Sequence, residues 1–551
     1  MTLGDVDRVL ELGLFSNMDP ARFSSAAPLQ GIVQNDTRLI RYDEGDIAVR
    51  AGDYGNSAFF IISGAVGVIH PPGLPDQALG RQQSPHRKGA LAALNQLWRN
   101  PSYPEVRDPS RYGVLTGTQI RGSGSDTRVV LQDAASIKDS YEVTVLVAGE
   151  IFGEIAALAR IPRSATVFAL GPVEAIEIRW QALSEFRNRI PEFRAHVDKL
   201  YRERSLNIHL KGMPLLASLS DDVIQQIADV TLFENYGEFD WHTDFKRRRG
   251  AEHSELIANE PLVVDEGDYS DGLLLVRAGF GRVSRKINFG HQTLYYLRSG
   301  DVFGLTEIAN NDRSNEQTTL LTSLRAVGYL NILRVPTSSA EELILSNVPD
   351  NVIAEWGERR FQYFGVDTTP RRKRIDTDAL EFLVDDRYVN GTATMMIDLD
   401  RCVRCDECVT ACAKGHNNNP RFNRHGRRYG NYMVANACMH CVDPVCMIGC
   451  PTGAIHRAST GQVVINDDTC IGCATCANAC PYDNIRMVEV RDNSGSYILD
   501  EDTNRAIVKA TKCDLCIDQA GGPACQRACP HDALVRMEMH DLEKLSGWLN
   551  R

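Results

Sequence analysis

From Leu39 onward the apolar residues come in short, nearly alternating runs. Ile47–Arg50, Ala58–Ile62 and Val66–Ile69 are cut apart by Gly52, Asp53 and Gly64. Short strands with Gly and Asp turns between them predict a small β-barrel or jelly roll. Leu10, Leu14 and Phe15 ahead of it read as helical. From about 71 to 138 the pattern breaks into Pro71, Pro72, Pro75, Gly122 to Asp126 and many polar residues, with a short helix expected at Ala90–Trp98. That stretch predicts a long surface insertion. Strand text resumes at Tyr141–Val147, Val173–Ile178 alternates like a closing strand, and about Trp180 to Leu206 reads as amphipathic helices.

The same plan then recurs. Leu215–Leu219 echoes Leu14–Met18, Val264–Tyr269 echoes Val49–Tyr54, and Val276–Gly279 echoes Ile61–Gly64. Ser299–Gly304 parallels Ala148–Gly153. Helical text runs to about Phe364, and a linker with Pro370 and the basic run Arg371–Arg374 follows. The expected organisation is a first barrel domain over 1–205, a second over 206–365, a linker over 366–385 and a third domain over 386–551. The fold class is multidomain α+β, with two jelly-roll barrels plus helices ahead of a smaller α+β domain.

Composition narrows the function classes. The chain has 551 residues, 43% of them hydrophobic, and a formal net charge of −12. This length accommodates three or four domains. The acidic balance disfavours a nucleic-acid-binding chain. Lys246–Arg249 and Arg371–Arg374 are read as solvated loop and linker charges. No apolar run reaches eighteen residues, so no membrane span is expected, and any membrane association would come through a partner. No N-terminal apolar stretch with a cleavage site is present, so a cytoplasmic location is expected.

The chemistry lies in the cysteines. All sixteen fall between Cys402 and Cys529, as Cys402, Cys405, Cys408, Cys412; Cys438, Cys441, Cys446, Cys450; Cys470, Cys473, Cys476, Cys480; and Cys513, Cys516, Cys525, Cys529. The first and third groups have the run C-x2-C-x2-C-x3-C, and the other two open only the middle gap. In such a run three thiolates wrap one corner of a [4Fe–4S] cube, and the fourth, on the following helix, points at a neighbouring cluster. Disulfides are disfavoured in a reducing compartment. Zinc takes pairs of cysteines and gives no reason for the third one or for Pro451, Pro481 and Pro530 after the fourth. Sixteen thiolates are the ligands of four cubes.

Residues from about 386 to 540 resemble the four-cluster ferredoxin-type subunits of respiratory oxidoreductases, such as dimethyl sulfoxide reductase, nitrate reductase and formate dehydrogenase. Met396–Arg401 before Cys402 and the proline-free Ala411–Lys414 match the family's first motif. The resemblance implies a tandem bacterial-ferredoxin-like fold in which group one pairs with four and two with three. The implied ligand sets are Cys402, Cys405, Cys408, Cys529; Cys513, Cys516, Cys525, Cys412; Cys438, Cys441, Cys446, Cys480; and Cys470, Cys473, Cys476, Cys450. His416, His440, His456 and His531 lie near ligands without being needed on iron.

A second resemblance rests on Phe152–Leu158 and Arg160–Val167, which are similar to the phosphate cassette of cyclic-nucleotide-binding domains. Gly153, Ile155 and Ala156 would present backbone N–H groups to an anion. Arg163 would pair with the cyclic phosphate and Glu154 would accept from the ribose hydroxyl. Ser164, beside the arginine, is compatible with cAMP or cGMP. The competing reading keeps the barrel as a scaffold without its ligand. In the second barrel Leu305 stands at the ribose position and Arg313, the candidate arginine, is separated from the following strand by an insertion, so that copy is expected to be degenerate. No helix-turn-helix follows either barrel.

The expected function is an electron-transfer subunit of a cytoplasmic multisubunit oxidoreductase, regulated by or assembled through the barrels. No catalytic residues of its own are visible. The expected partners are catalytic subunits of hydrogenase, molybdopterin or flavin type, with homo-oligomerisation through the barrels as a further option. The rival function is a redox or oxygen sensor with iron–sulfur detection and barrel output.

Overall fold

The computed structural model describes residues 1–551 apart from 14, 26, 70–73, 76–77, 80–99, 108–119, 122–127, 132–136, 138–140, 160–161, 203–205, 239–240, 250–252, 288–289, 315–316, 357–374, 376, 459, 501–502 and 520. The expected helix Ala90–Trp98, much of the insertion and most of the linker lie outside the described residues. The chain forms two compact units. One comprises Met1–Ser16, Gln30–Arg179 and Asn390–Met539; the other comprises Asn17–Leu29, Trp180–Val389 and His540–Arg551.

In the first unit, β1 (Thr37–Tyr42), β2 (Ile47–Val49), β3 (Ser57–Ser63), β4 (Ala65–Ile69), the short pair β5 (Ile120–Arg121) and β6 (Arg128–Val129), β7 (Val143–Val147), β8 (Ile151–Phe152), β9 (Thr166–Ala169) and β10 (Val173–Arg179) build the first barrel. Its two sheets have the orders β1-β10-β3-β8 and β2-β9-β4-β7. The chain changes sheet between β3 and β4 at Gly64, where φ is +87° and a Cβ would stand 2.4 Å from the Pro172 carbonyl oxygen. Only glycine fits there. Inward-facing Phe59, Ile61, Val66, Val68, Phe152, Val167 and Ala175 fill the space between the sheets. The described parts of the insertion lay Leu74, Leu79, Val129 and Leu131 on Ile47, Ile69 and Phe168 of the barrel.

The second unit repeats this topology with fused strands: β11 (Leu232–Gly237), β12 (Leu262–Val264), β13 (Gly272–Ile287), β14 (Gly290–Leu297), β15 (Val302–Phe303) and β16 (Ser323–Pro336). β13 does the work of β3 and β4 together, and β16 that of β9 and β10. β16 pairs with β11, β12 and β13, and β13 pairs also with β14 and β15. Gly279 in β13 has φ +87°, as Gly64 does, and its Cβ would meet the Tyr329 carbonyl oxygen at 2.3 Å. The echo of Ile61–Gly64 in Val276–Gly279 is thus the same sheet-crossing device in both copies.

The third segment, which belongs to the first unit, adds β17 (Thr394–Asp398), β18 (Asn423–Tyr429), β19 (Tyr432–Asn436), β20 (Ile455–Arg457), β21 (Val463–Ile465), β22 (Arg486–Glu489), β23 (Val508–Thr511) and β24 (Leu534–Met537). Four of them form a sheet in the order β18-β19-β17-β24, and β20-β21 and β22-β23 are hairpins. β17 is buried along its whole length because it lies between β19 and β24. A short helix or helical turn follows the leading cysteines of each group: Glu407–Gly415, Val445–Met447, Thr475–Ala479 and Ala524–Arg527.

Candidate functional site

All sixteen cysteines are free thiols, and two cavities each bring four of them together. One cavity is lined by Cys402, Cys405, Cys408 and Cys529, together with Val403, Arg404 and His531. A second is lined by Cys450, Cys470, Cys473 and Cys476. In each, three cysteines come from one group and the fourth from another. The buried thiols also influence one another electrostatically. Burial, then Cys438 and Cys480, raises the Cys441 thiol well above its ordinary range; burial, then Cys480, Cys438 and Cys441, does so for Cys446. Burial pushes Cys525 up to about 12, and Cys513, Cys412 and Cys516 add to it. Cys408 is pushed up to about 11, by burial first and then by Cys529 and Cys402. Mutually repelling buried thiols become favourable donors once a cation deprotonates them. The soft donors and the cavities both fit an iron–sulfur cube.

The loops that present these thiols adopt an uncommon backbone. The residue before the second cysteine of every group has positive φ: Arg404 (60°), His440 (52°), Gly472 (71°) and Leu515 (57°). Asp406 and Ala474, directly after the second cysteine in the first and third groups, do the same at 61° and 62°. This curls the chain around a centre, and only Gly472 announces it in the sequence. Left-handed backbone at non-glycine residues is strain that accompanies function.

Buried cations surround the thiols. Lys509 donates to the carbonyl oxygens of Cys470 and Asp467, and Lys512 to those of Val463 and Cys513. Arg536 donates to the Cys513 sulfur at 3.0 Å, and the Arg421 backbone N–H donates to the Cys412 sulfur at 3.3 Å. His416 is buried, with Nδ1 2.7 Å from the Cys412 carbonyl oxygen and Nε2 2.9 Å from Asp514. Against the opposing pull of burial, Asp514 holds the imidazole protonated well above its usual range. His440 goes the other way, because burial, with Lys512 and Arg536 nearby, keeps it neutral while Nδ1 accepts from the Val463 N–H at 3.2 Å. His456 is buried, with Nδ1 3.2 Å from the Ala454 carbonyl oxygen. Sequence reading missed these cations; Lys509 and Lys512 just ahead of Cys513 are the one visible signal.

The cassette of the first barrel is assembled. Gly153 has φ +78°, and the helix Glu154–Ala159 starts directly after it. Ile155 is half-buried, and Ala156, Glu154 and Arg163 are buried, whereas Ser164 is exposed. The Arg163 guanidinium donates to the carbonyl oxygens of Gly153 and, at 2.7 Å, Ser57. Burial lowers its pKa to about 10, with the Glu154 charge opposing. A Cβ on Gly55 would stand 2.0 Å from this guanidinium, so a glycine is needed beside it.

Among the described residues the second barrel shows no such pair. The Arg163 N–H donates to Asp53 O and its carbonyl accepts from Gly52 N–H, at 2.8 and 2.7 Å. In the second barrel Leu320 makes the equivalent bonds, to Asp268 O and from Gly267 N–H, at 2.8 and 2.9 Å. Leu320, and not Arg313, therefore occupies the arginine position, and Leu305 the glutamate position. Both leucines are 3% exposed. Arg313 lies exposed in the last turn of the helix Leu305–Ser314, paired with Asp350.

Comparison with known proteins matches the same regions. The family descriptions "4Fe-4S dicluster domain" match residues 430–496 and 469–533, and "Cyclic nucleotide-binding domain" matches residues 130–189. The Electron transport protein HydN of Escherichia coli (strain K12) is 37% identical over 28% of this chain and 92% of its own length. The chain belongs to the iron–sulfur electron-transport proteins. Other relatives of this iron–sulfur protein are the B subunit of anaerobic dimethyl sulfoxide reductase from the same organism and the arsenate respiratory reductase iron–sulfur subunit ArrB of Shewanella sp. (strain ANA-3). They are 32% and 30% identical, over 27% of this chain in both cases and over 76% and 82% of their own lengths. A structure of the regulatory domain of Toxoplasma gondii PKA with cAMP matches 66% of this chain and 97% of its own, at 14% identity and a TM-score of 0.23. Among the described residues no helix is long and apolar enough to cross a membrane.

Proposed function

We propose that this protein relays single electrons as the iron–sulfur subunit of a multisubunit oxidoreductase in the cytoplasm, and that its first barrel takes a cyclic nucleotide. The observation that carries the reading is that two cavities are each lined by three thiols of one cysteine group and a fourth from its paired group. In this reading Cys402, Cys405, Cys408 and Cys529 hold one cube, and Cys412, Cys513, Cys516 and Cys525 a second. Cys438, Cys441, Cys446 and Cys480 hold a third, and Cys450, Cys470, Cys473 and Cys476 a fourth. A fully thiolate-ligated cube supplies one-electron exchange and no open iron. Lys509, Lys512, Arg536 and protonated His416 offset the negative charge that the thiolates gather, and the surrounding apolar residues keep water away. Cys405 and Cys473 are exposed and lie in different sets, which leaves two places for exchange with other proteins.

Glu154 and Arg163 are buried and charged where the second barrel packs leucines, which supports a ligand there. The second barrel serves in packing. The expected catalytic partner is of hydrogenase, molybdopterin or flavin type.

Anaerobic isolation from the native cell tests this directly. The expected preparation holds about sixteen iron atoms per chain, four per cube, with a stoichiometric catalytic subunit. A protein that comes out alone, with clusters bleached reversibly by air, would replace the relay with the sensor.

A further inference from the structure

Residues 50–55 lie between the nucleotide cassette and the second cysteine group, all within one compact unit. On one side the loop is bonded to the cassette. Gly52 donates to Arg163 O at 2.7 Å, Arg163 donates to Asp53 O at 2.8 Å, and Ala51 donates to Thr166 Oγ1 at 3.1 Å. Gly55 is packed directly on the Arg163 guanidinium. On the other side Arg50, 8% exposed, donates to the carbonyl oxygens of Cys450 and Pro451 at 3.3 and 3.2 Å. A Cβ on Gly453 would stand 2.6 Å from Arg50 Nε, so the turn after Cys450 is shaped to receive the side chain. Tyr54 supplies a second limb. Its ring carries Arg457 at 5.8 Å, and Arg457 in turn donates to the carbonyl oxygens of Cys441 and Val442 at 2.7 and 3.1 Å.

Arg50 is held on both sides, since Nε also donates to Asp53 at 2.9 Å. Asp53 is the residue whose carbonyl receives the Arg163 N–H, so one short segment carries both the arginine that touches the cysteine turn and the acceptor that touches the cassette.

We propose that Arg50 is a positioning residue that sets the potential of the cluster held through Cys450, and that loop 50–55 makes this potential respond to an anion in the cassette. The proposal rests on the cluster and nucleotide assignments made above. A fixed positive charge beside the cluster favours its reduced, more negative form. A cyclic phosphate adds a negative charge on the far side of the loop and engages the guanidinium that now bonds Gly153 and Ser57. The reduced form then loses ground. By linkage the nucleotide binds the reduced protein more weakly, by the factor that it shifts the one-electron couple. One electron enters from an external reductant, and no bond or group transfer is involved.

The test uses the full chain, isolated anaerobically with its clusters. Redox titration with dithionite, followed by electron paramagnetic resonance, compares wild type with Arg50→Gln and Arg50→Lys. In Arg50→Gln one cluster signal is expected to show a roughly tenfold lower reduced-to-oxidised ratio at fixed potential, which is about 59 mV for a one-electron couple. The remaining signals stay in place, and Arg50→Lys recovers most of the loss. In parallel, cAMP and cGMP binding is measured on oxidised and dithionite-reduced wild type, with about fivefold weaker binding expected when reduced. An unchanged potential in Arg50→Gln at full iron content overturns the electrostatic role of Arg50. Equal affinity in the two redox states overturns the transmission alone. Absence of binding in both states overturns the nucleotide assignment and the transmission with it, while the Arg50→Gln potential still decides the contact with the cysteine turn. If Arg50→Gln loads fewer clusters, Arg50→Lys and the wild-type binding pair decide.

Discussion

The two barrels share a topology, a sheet-crossing glycine at φ +87° and the pair of backbone bonds that fixes the cassette strand. They differ in what is fixed there: Glu154 and Arg163 in one, Leu305 and Leu320 in the other. Both pairs are buried. A buried charged pair is a weak source of stability and is readily replaced by apolar residues of similar volume. The contrast separates two buried charged residues from the fold that carries them.

Exchanging residues between the copies tests this, beginning with the largest effect. Leu320→Arg places an uncompensated cation in the apolar cluster of the second barrel, and a cost of about 3–5 kcal/mol is expected. Trp180, Trp241 and Trp548 all lie in the second unit, so denaturation followed by tryptophan fluorescence reports it. A neutral outcome would mean that Leu320 does not face the core. The reverse exchange, Arg163→Leu, should leave the first barrel folded but weaken cyclic-nucleotide binding by about 100-fold or more, the loss of a charge-assisted pair. Undiminished binding of a fluorescent cAMP would erase the distinction between the copies.

The smallest effect concerns pH. His253, in the second unit, has Nδ1 2.6 Å from Asp385 and Nε2 3.3 Å from Glu381. The two carboxylates, Asp385 first, raise its pKa to about 9 from 6.5. A raised folded-state pKa contributes stability that is present below about pH 6.5 and is lost as pH rises through about 9. Screening of this half-buried group leaves about 1 kcal/mol. His253→Gln should flatten the stability of the second unit over that window, measured by urea denaturation at pH 6 and pH 9.5.

Legibility followed locality. The thiol groups are readable because three ligands of one cube must come from a single short loop, and the cassette because its glutamate and arginine are nine residues apart. Leu320 was hidden by the insertion before it, since only the bonds to Gly267 and Asp268 show which residue stands in the arginine's place. Arg50 gives no sign in sequence, because its acceptors lie 400 residues away and are backbone carbonyls that any residue offers. The left-handed residues Arg404, His440 and Leu515 were equally silent. Side-chain type does not disclose a left-handed backbone at residues other than glycine.

The first unit is built from chain that lies on both sides of residues 180–389. On a ribosome adding about 5–20 residues per second, the first barrel emerges and then waits roughly 14–54 s before Cys450 is made. Throughout that interval Arg50 has no Cys450 carbonyl to bond, and Arg107 has no Asp467. The barrel surface must stay soluble while unfinished, and charged arginines, in place of an apolar patch, let it do so. Cysteines that arrive last also meet a barrel already folded, so the thiol loops are completed against an existing wall.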